Sequence, residues 1–258
     1  MADELIRLQT AAGLAHITLA RPAAYNAMNY AFVDAFAETC AGLENGAVRA
    51  VLITAEGKNF CVGGDLKAFA NEPEPGPFLM RIAARLHEGM KALLALDAPL
   101  VVAVQGAAAG AGMSLAALGD IVLAGTQAHF TAAYTGVGLT ADGGATWSLP
   151  RVVGLRVAQE MLLLNRRLSA VEAQSVGLVT RVVDDEALVD EATKVGQQLA
   201  AGPTRSYGKI RRLLQASSQT SFEQQLDTEA LAIGEAARDD GREGFAAFFE
   251  RRKPNFRG

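Results

Sequence analysis

Apolar and polar positions along the first two-thirds of the chain switch between a period near two and a period near 3.6. Leu14–Leu19 reads as a strand, stopped by Arg21-Pro22. Asn29 is placed to cap a helix whose apolar residues Phe32, Phe36 and Leu43 recur at roughly helical spacing. Residues 48–54 are strand-like and lead through a polar, Gly-rich loop to Leu66. Pro75 to Pro77 predicts a mobile loop, followed by a long helix over residues 78–96. A strand over Leu100–Val104, a helix over 111–118 and a strand over 121–124 follow in quick succession. Ser169-Ala-Val-Glu172 has the form of a capping box, with Gly177 closing that short helix and another strand over 179–183. Strands separated by helices predict an α/β core. From Glu186 onward helical periodicity dominates, with Ser221-Phe-Glu-Gln224 as a second capping box and a Phe245, Phe248, Phe249 cluster before Pro254.

Residues 100–119 are nearly all apolar and long enough to cross a bilayer. Pro99 precedes them, however, Gln105 and Ser114 interrupt them, and four glycines divide them. Buried strand, tight turn and buried helix is the better reading. The 258 residues, 50% hydrophobic and 20% charged, suit one globular domain or one domain with an appendage. The formal charge of −4 includes no strongly basic block, which argues against a nucleic-acid binder. Two cysteines and three histidines, none at ligand spacing, support neither a metal site nor a disulfide framework. The acidic start has no apolar leader pattern, so a soluble cytoplasmic protein is the expectation.

Three Gly-rich turns lie where strands are predicted to end: residues 60–66, residues 106–113 and residues 138–144. Glycine permits close backbone approach and positive φ, which lets main-chain N–H groups face a ligand. The second turn runs into a helix start, where free N–H groups favour negative charge. None of the three has the spacing of a dinucleotide or phosphate-binding loop.

Taken in order, Phe60-Cys-Val-Gly-Gly-Asp-Leu66, Pro99 through Gly112 and Leu118-Gly-Asp-Ile-Val-Leu-Ala124 resemble the crotonase (enoyl-CoA hydratase/isomerase) superfamily. Arg21-Pro22 with Asn26-Ala-Met-Asn29, and Arg242-Glu-Gly-Phe with the segment 249–256, extend the resemblance over essentially the whole chain. It implies an α/β spiral of ββα units over residues 1–195 and a C-terminal helical oligomerisation region over 196–258. It also implies a coenzyme A thioester as substrate, no tightly bound cofactor, and a homotrimer or a dimer of trimers.

The same resemblance assigns roles. The backbone N–H groups of Val62 and Ala111 would stabilise the thioester oxygen as an enolate forms, each donor worth about 2.7–4 kcal/mol in a dry site. Family hydratases carry two glutamates where this chain has Ser114 and Tyr134. Asp142 instead resembles the catalytic aspartate of the epoxyphenylacetyl-CoA isomerase branch, and an isomerase is the leading expectation. Alternatives are a hydratase, a haloaryl-CoA dehalogenase, in which His87 would take a direct part, and a catalytically silent acyl-CoA binder. Ala24, Gly64, Asp65, Leu66, Tyr134, Phe249 and Lys253 are candidate contacts of substrate or coenzyme. Asp65 and Asp120 equally suit loop or helix ties, and Cys61 has no base beside it in sequence. Pocket walls are expected from residues 71–78, the following helix, and the surroundings of Tyr134 and Trp147.

Overall fold

A computed structural model describes residues 4–256. Strands β1 (Ile6–Ala11) and β2 (Leu14–Leu19) form an antiparallel hairpin, and helix α1 (Tyr30–Ala41) leads to β3 (Ala50–Ala55). Then come α2 (Leu66–Ala70), α3 (Pro75–Ala95), β4 (Leu100–Val104), β5 (Ala107–Ala109) and α4 (Ala111–Ala116). Next are β6 (Ile121–Gly125), β7 (His129–Thr131), α5 (Ala145–Val152), α6 (Leu155–Leu164) and β8 (Leu168–Ser169). The chain continues through α7 (Ala170–Ser175), β9 (Arg181–Val183) and α8 (Leu188–Ala201). It ends in α9 (Thr204–Ala216), α10 (Phe222–Arg238) and α11 (Asp240–Glu250).

The larger sheet runs β1-β2-β3-β4-β6-β9, parallel after the first hairpin; the smaller runs β5-β7-β8. Two successive passes each add a strand to the large sheet and then a short one to the small sheet, β4 with β5 and β6 with β7. This is the α/β spiral that the resemblance implies. Both faces of the large sheet are covered, so β4 is apolar throughout: Leu100, Val102 and Val104 face one core, while Val101 and Ala103 meet Leu188, Ala192 and Ala200 of α8. The apolar stretch 100–119 is thus divided among β4, β5 and α4, and no helix of the described residues is long and apolar enough to cross a membrane.

Local chemistry set several boundaries correctly. The Asn29 side chain accepts the Phe32 N–H at 2.9 Å, and both capping boxes, at Ser169 and Ser221, are formed. Three expectations are corrected. The segment 75–77 is not a loop: it is the first turn of α3, where proline's missing N–H costs nothing. Helix α4 stops at Ala116, two residues early, because the chain must turn into β6. β1 is an unforeseen edge strand in which only Ile6 is buried, so it carries little apolar signal. The sequence boundary between residues 195 and 196 falls inside α8.

Candidate active site

Two loops are held against each other by main-chain contacts that only glycine allows. Residues 59–61 run beside β5: Phe60 N–H donates to Gln105 C=O at 2.8 Å and Cys61 N–H to Ala107 C=O at 3.1 Å. Ala109 N–H returns to Cys61 C=O at 2.9 Å. A Cβ on Gly112 would lie 2.3 Å from the Cys61 carbonyl oxygen, and one on Gly63 (φ +91°) 2.9 Å from that of Ala109. These contacts bring Val62 and Ala111 to the wall of one cavity of about 360 Å³. Ala111 is the first residue of α4, so its N–H has no acceptor within the helix. The Val62 N–H donates a long hydrogen bond, 3.3 Å, to Tyr25 C=O. Cys61 itself is structural: its thiol donates to Asn26 C=O at 3.0 Å, and burial pushes it up to about 12 against the opposing Gly63 N–H.

Asp142 lines the same cavity and is half-buried. The Tyr134 hydroxyl donates to its Oδ1 at 2.8 Å. Ser114 Oγ lies 2.8 Å from that hydroxyl and 3.0 Å from the Asp142 carbonyl oxygen. An ionised carboxylate only accepts, so Tyr134 is the donor to Asp142, and the Ser114 hydroxyl has the tyrosine oxygen and the Asp142 and Gly110 carbonyls as acceptors. Burial, then the neighbouring Asp142 charge, pushes the Tyr134 hydroxyl above its ordinary value and keeps it protonated. The two positions that carry glutamate in hydratases therefore hold a neutral pair that braces the aspartate. From α3, His87 Nε2 accepts the Gly143 N–H at 3.0 Å, which requires that nitrogen to be unprotonated. Gly143 (φ +59°) packs so closely that a Cβ would lie 2.8 Å from Ser114 Cβ. The acidic turn is thus fixed from two sides.

Gly64, Leu66 and Tyr134 also line the cavity. Asp65 does not line it. One carboxylate oxygen pairs with Arg21 at 2.8 Å and the other accepts the Ala68 N–H at 3.3 Å, so it ties the loop. Burial alone would raise its carboxyl, but the Arg21 bond and the Ala68 N–H outweigh that and hold it below the usual carboxylate range. Asp120 is likewise structural, accepting the Leu100 N–H at 2.7 Å and pairing with buried Arg211 at 2.8 Å. Ala24, His87, Phe249 and Lys253 lie outside the cavity wall, and Phe249 is 81% exposed.

The expected pocket walls need correction. Residues 71–78 and Trp147 take no part; Trp147 instead lies beneath the Arg151 guanidinium. The walls come from Phe69 of α2, from Leu79, Ile82 and Leu86 on one face of α3, and from Val137 and Leu139. The α3 residues recur at i, i+3 and i+7, a spacing visible in the sequence, although periodicity alone cannot tell a cavity wall from a core face.

The sequence profile of the family "Enoyl-CoA hydratase/isomerase" matches residues 9–258. The chain belongs to that family. Among its relatives, the 1,2-epoxyphenylacetyl-CoA isomerase of Escherichia coli is 38% identical over 259 residues, covering 99% of each chain. A Rhodobacter capsulatus protein described as a "Probable enoyl-CoA hydratase" is 37% identical over the full length of both. The crystal structure of a Mycobacterium abscessus protein assigned to the enoyl-CoA hydratase/isomerase group superposes with a TM-score of 0.92 at 36% identity, covering 97% of this chain and 98% of that one. This family member is therefore an enzyme of acyl-CoA type, and the paired loops and the acid at 142 sit in one cavity of its crotonase fold.

Proposed function

We propose that the protein is an acyl-CoA thioester isomerase that shifts a proton through an enolate. The thioester oxygen sits on the N–H groups of Val62 and Ala111, where the start of α4 adds a favourable dipole. The Asp142 carboxylate removes a proton from the saturated carbon next to that carbonyl. The C–H electron pair passes into the acyl skeleton and places negative charge on the thioester oxygen. Asp142, now a carboxylic acid, returns the proton at a second carbon, and the charge collapses back to the neutral thioester. Nothing is added to or lost from the substrate. Tyr134 and Ser114 hold the carboxylate, and His87 holds the turn beneath it.

One observation carries this reading: Asp142 is the single carboxylate among the described residues that line the cavity. One acid–base group is enough to remove and replace one proton, whereas hydratases of the family act with two glutamates on the added water. The apolar helices at the C-terminus support a homo-oligomer, a trimer or a pair of trimers, as the expected assembly.

Two assays on the same preparation test the assignment. Positional isomerisation of 3-enoyl thioesters is expected to exceed hydration of crotonyl-CoA by at least 100-fold in kcat/KM. Hydration at the higher rate would make the protein a hydratase and overturn the reading.

A further inference from the structure

The acyl end of the cavity has a composition that the proposed chemistry does not require. Its polar side chains, Tyr134, Thr140 and Asp142, all come from one short segment, and Tyr134 is already bonded to Asp142. The apolar lining includes the α3 face Leu79, Ile82, Ala83 and Leu86, joined by Phe69. Leu86 immediately precedes the histidine that holds Gly143, so this face starts beside the acid. It runs outward to Met80, which is 73% exposed at the cavity mouth. Seven residues of helix make that apolar track about 10 Å long.

No lysine or arginine is among the described residues lining the cavity. Two basic groups of α3, Arg81 and Arg85, are engaged elsewhere. Arg85 pairs with Asp34 and with Glu88, each at 2.6 Å, and the Arg81 guanidinium lies 5.7 Å from the centre of the Phe78 ring. An acyl chain ending in a carboxylate would bring that charge out of water with no cation to meet it. It would also share the cavity with Asp142. Both effects oppose binding, since a desolvated charge without a partner is costly and two like charges disfavour each other.

We infer that the site selects uncharged apolar acyl groups, straight-chain or aryl, and rejects acyl groups bearing a distal carboxylate, with the α3 track from Leu86 to Met80 as the selecting surface. The inference rests on the acyl-CoA reading of the site, and its test is independent of the isomerase step. Saturated thioesters have no double bond to shift, so their binding reports the track alone. Binding of octanoyl-CoA, 4-phenylbutanoyl-CoA and octanedioyl-CoA to the full-length protein is measured by titration calorimetry.

Octanedioyl-CoA is expected to bind at least 30-fold more weakly than the better of the two uncharged thioesters, and the order of those two tells chain from ring. Met80→Arg, on an exposed helix position, places a cation at the end of the track and should narrow the gap at least fivefold. Equal binding of charged and uncharged thioesters by the wild-type protein would overturn the selectivity. Persistence of the full gap in a folded Met80→Arg variant would overturn the path of the chain along α3. Failure of isomerisation with selectivity intact would instead count against the proposed reaction and leave this inference standing.

Discussion

At the scale of single residues, several side chains of the site hold one acidic turn in place. The glycines at 63 and 112 were legible from the sequence as points of close backbone approach, because their chemistry is local. The roles of Ser114 and Tyr134 were not. Their hydroxyls, 20 residues apart, meet only after the spiral closes, and in the sequence they stand out just as two missing glutamates. His87 shows the same limit. On a helix face it suits a structural histidine or a reacting one, and from the 3.0 Å bond between Gly143 N–H and its Nε2 we propose a positioning role. His87→Ala should lower kcat about 10–100-fold with KM little changed, since misplacing a reacting group costs rate more than binding. His87→Gln, whose carbonyl oxygen can accept the same N–H, should restore most of the loss in steady-state assays. If the glutamine variant is as impaired as the alanine variant, His87 acts as a base and its positioning role is wrong.

Among elements, capping chemistry and buried strands were readable in advance. Asn29, Ser169 and Ser221 bond within three residues, and β4 is apolar because sheet and helices cover it on both sides. The hairpin strand β1 escaped notice because its partner, not its composition, makes it a strand. The β2–β3 pair carries a pH-dependent contribution. His16 on β2 has its Nε2 2.8 Å from Thr54 Oγ1 on β3, and burial lowers its pKa below the ordinary 6.5. Below that value the unfolded chain takes up a proton that the folded chain resists. Stability therefore rises with pH through this window and falls as pH drops below it. Tm is expected to decline between pH 7 and pH 5, and His16→Gln should flatten the slope. His129, also lowered chiefly by burial, leaves a residual slope of the same sign. An unchanged slope in the variant would show that His16 contributes nothing to it.

For the whole molecule, the ββα spiral was legible only through resemblance. The strands of the small sheet are three residues or fewer, too short for any periodicity to announce them. The helical C-terminus was plain in the pattern; the apolar side chains it leaves exposed were not. Helix α10 buries none of its residues, and Leu231, Ile233, Phe245 and Phe248 are 60–78% exposed. Apolar surface of that extent is uncommon on a monomer, and a second copy of the chain would cover it. Sedimentation should give a trimer or hexamer mass, and Ile233→Glu with Phe248→Glu should shift it toward the monomer. A wild-type protein that sediments as a monomer at micromolar concentration would contradict the assembly.

The central claim is that one aspartate exchanges a proton with an acyl chain whose charge rests on two backbone amides. It is tested most directly by incubating a 3-octenoyl thioester with the enzyme in D2O and following deuterium entry by mass spectrometry. The wild-type protein should label the acyl chain, and Asp142→Asn should label it about 100–10,000-fold more slowly while binding the thioester within threefold of wild type. Labelling at the wild-type rate by the folded asparagine variant would show that another group moves the proton.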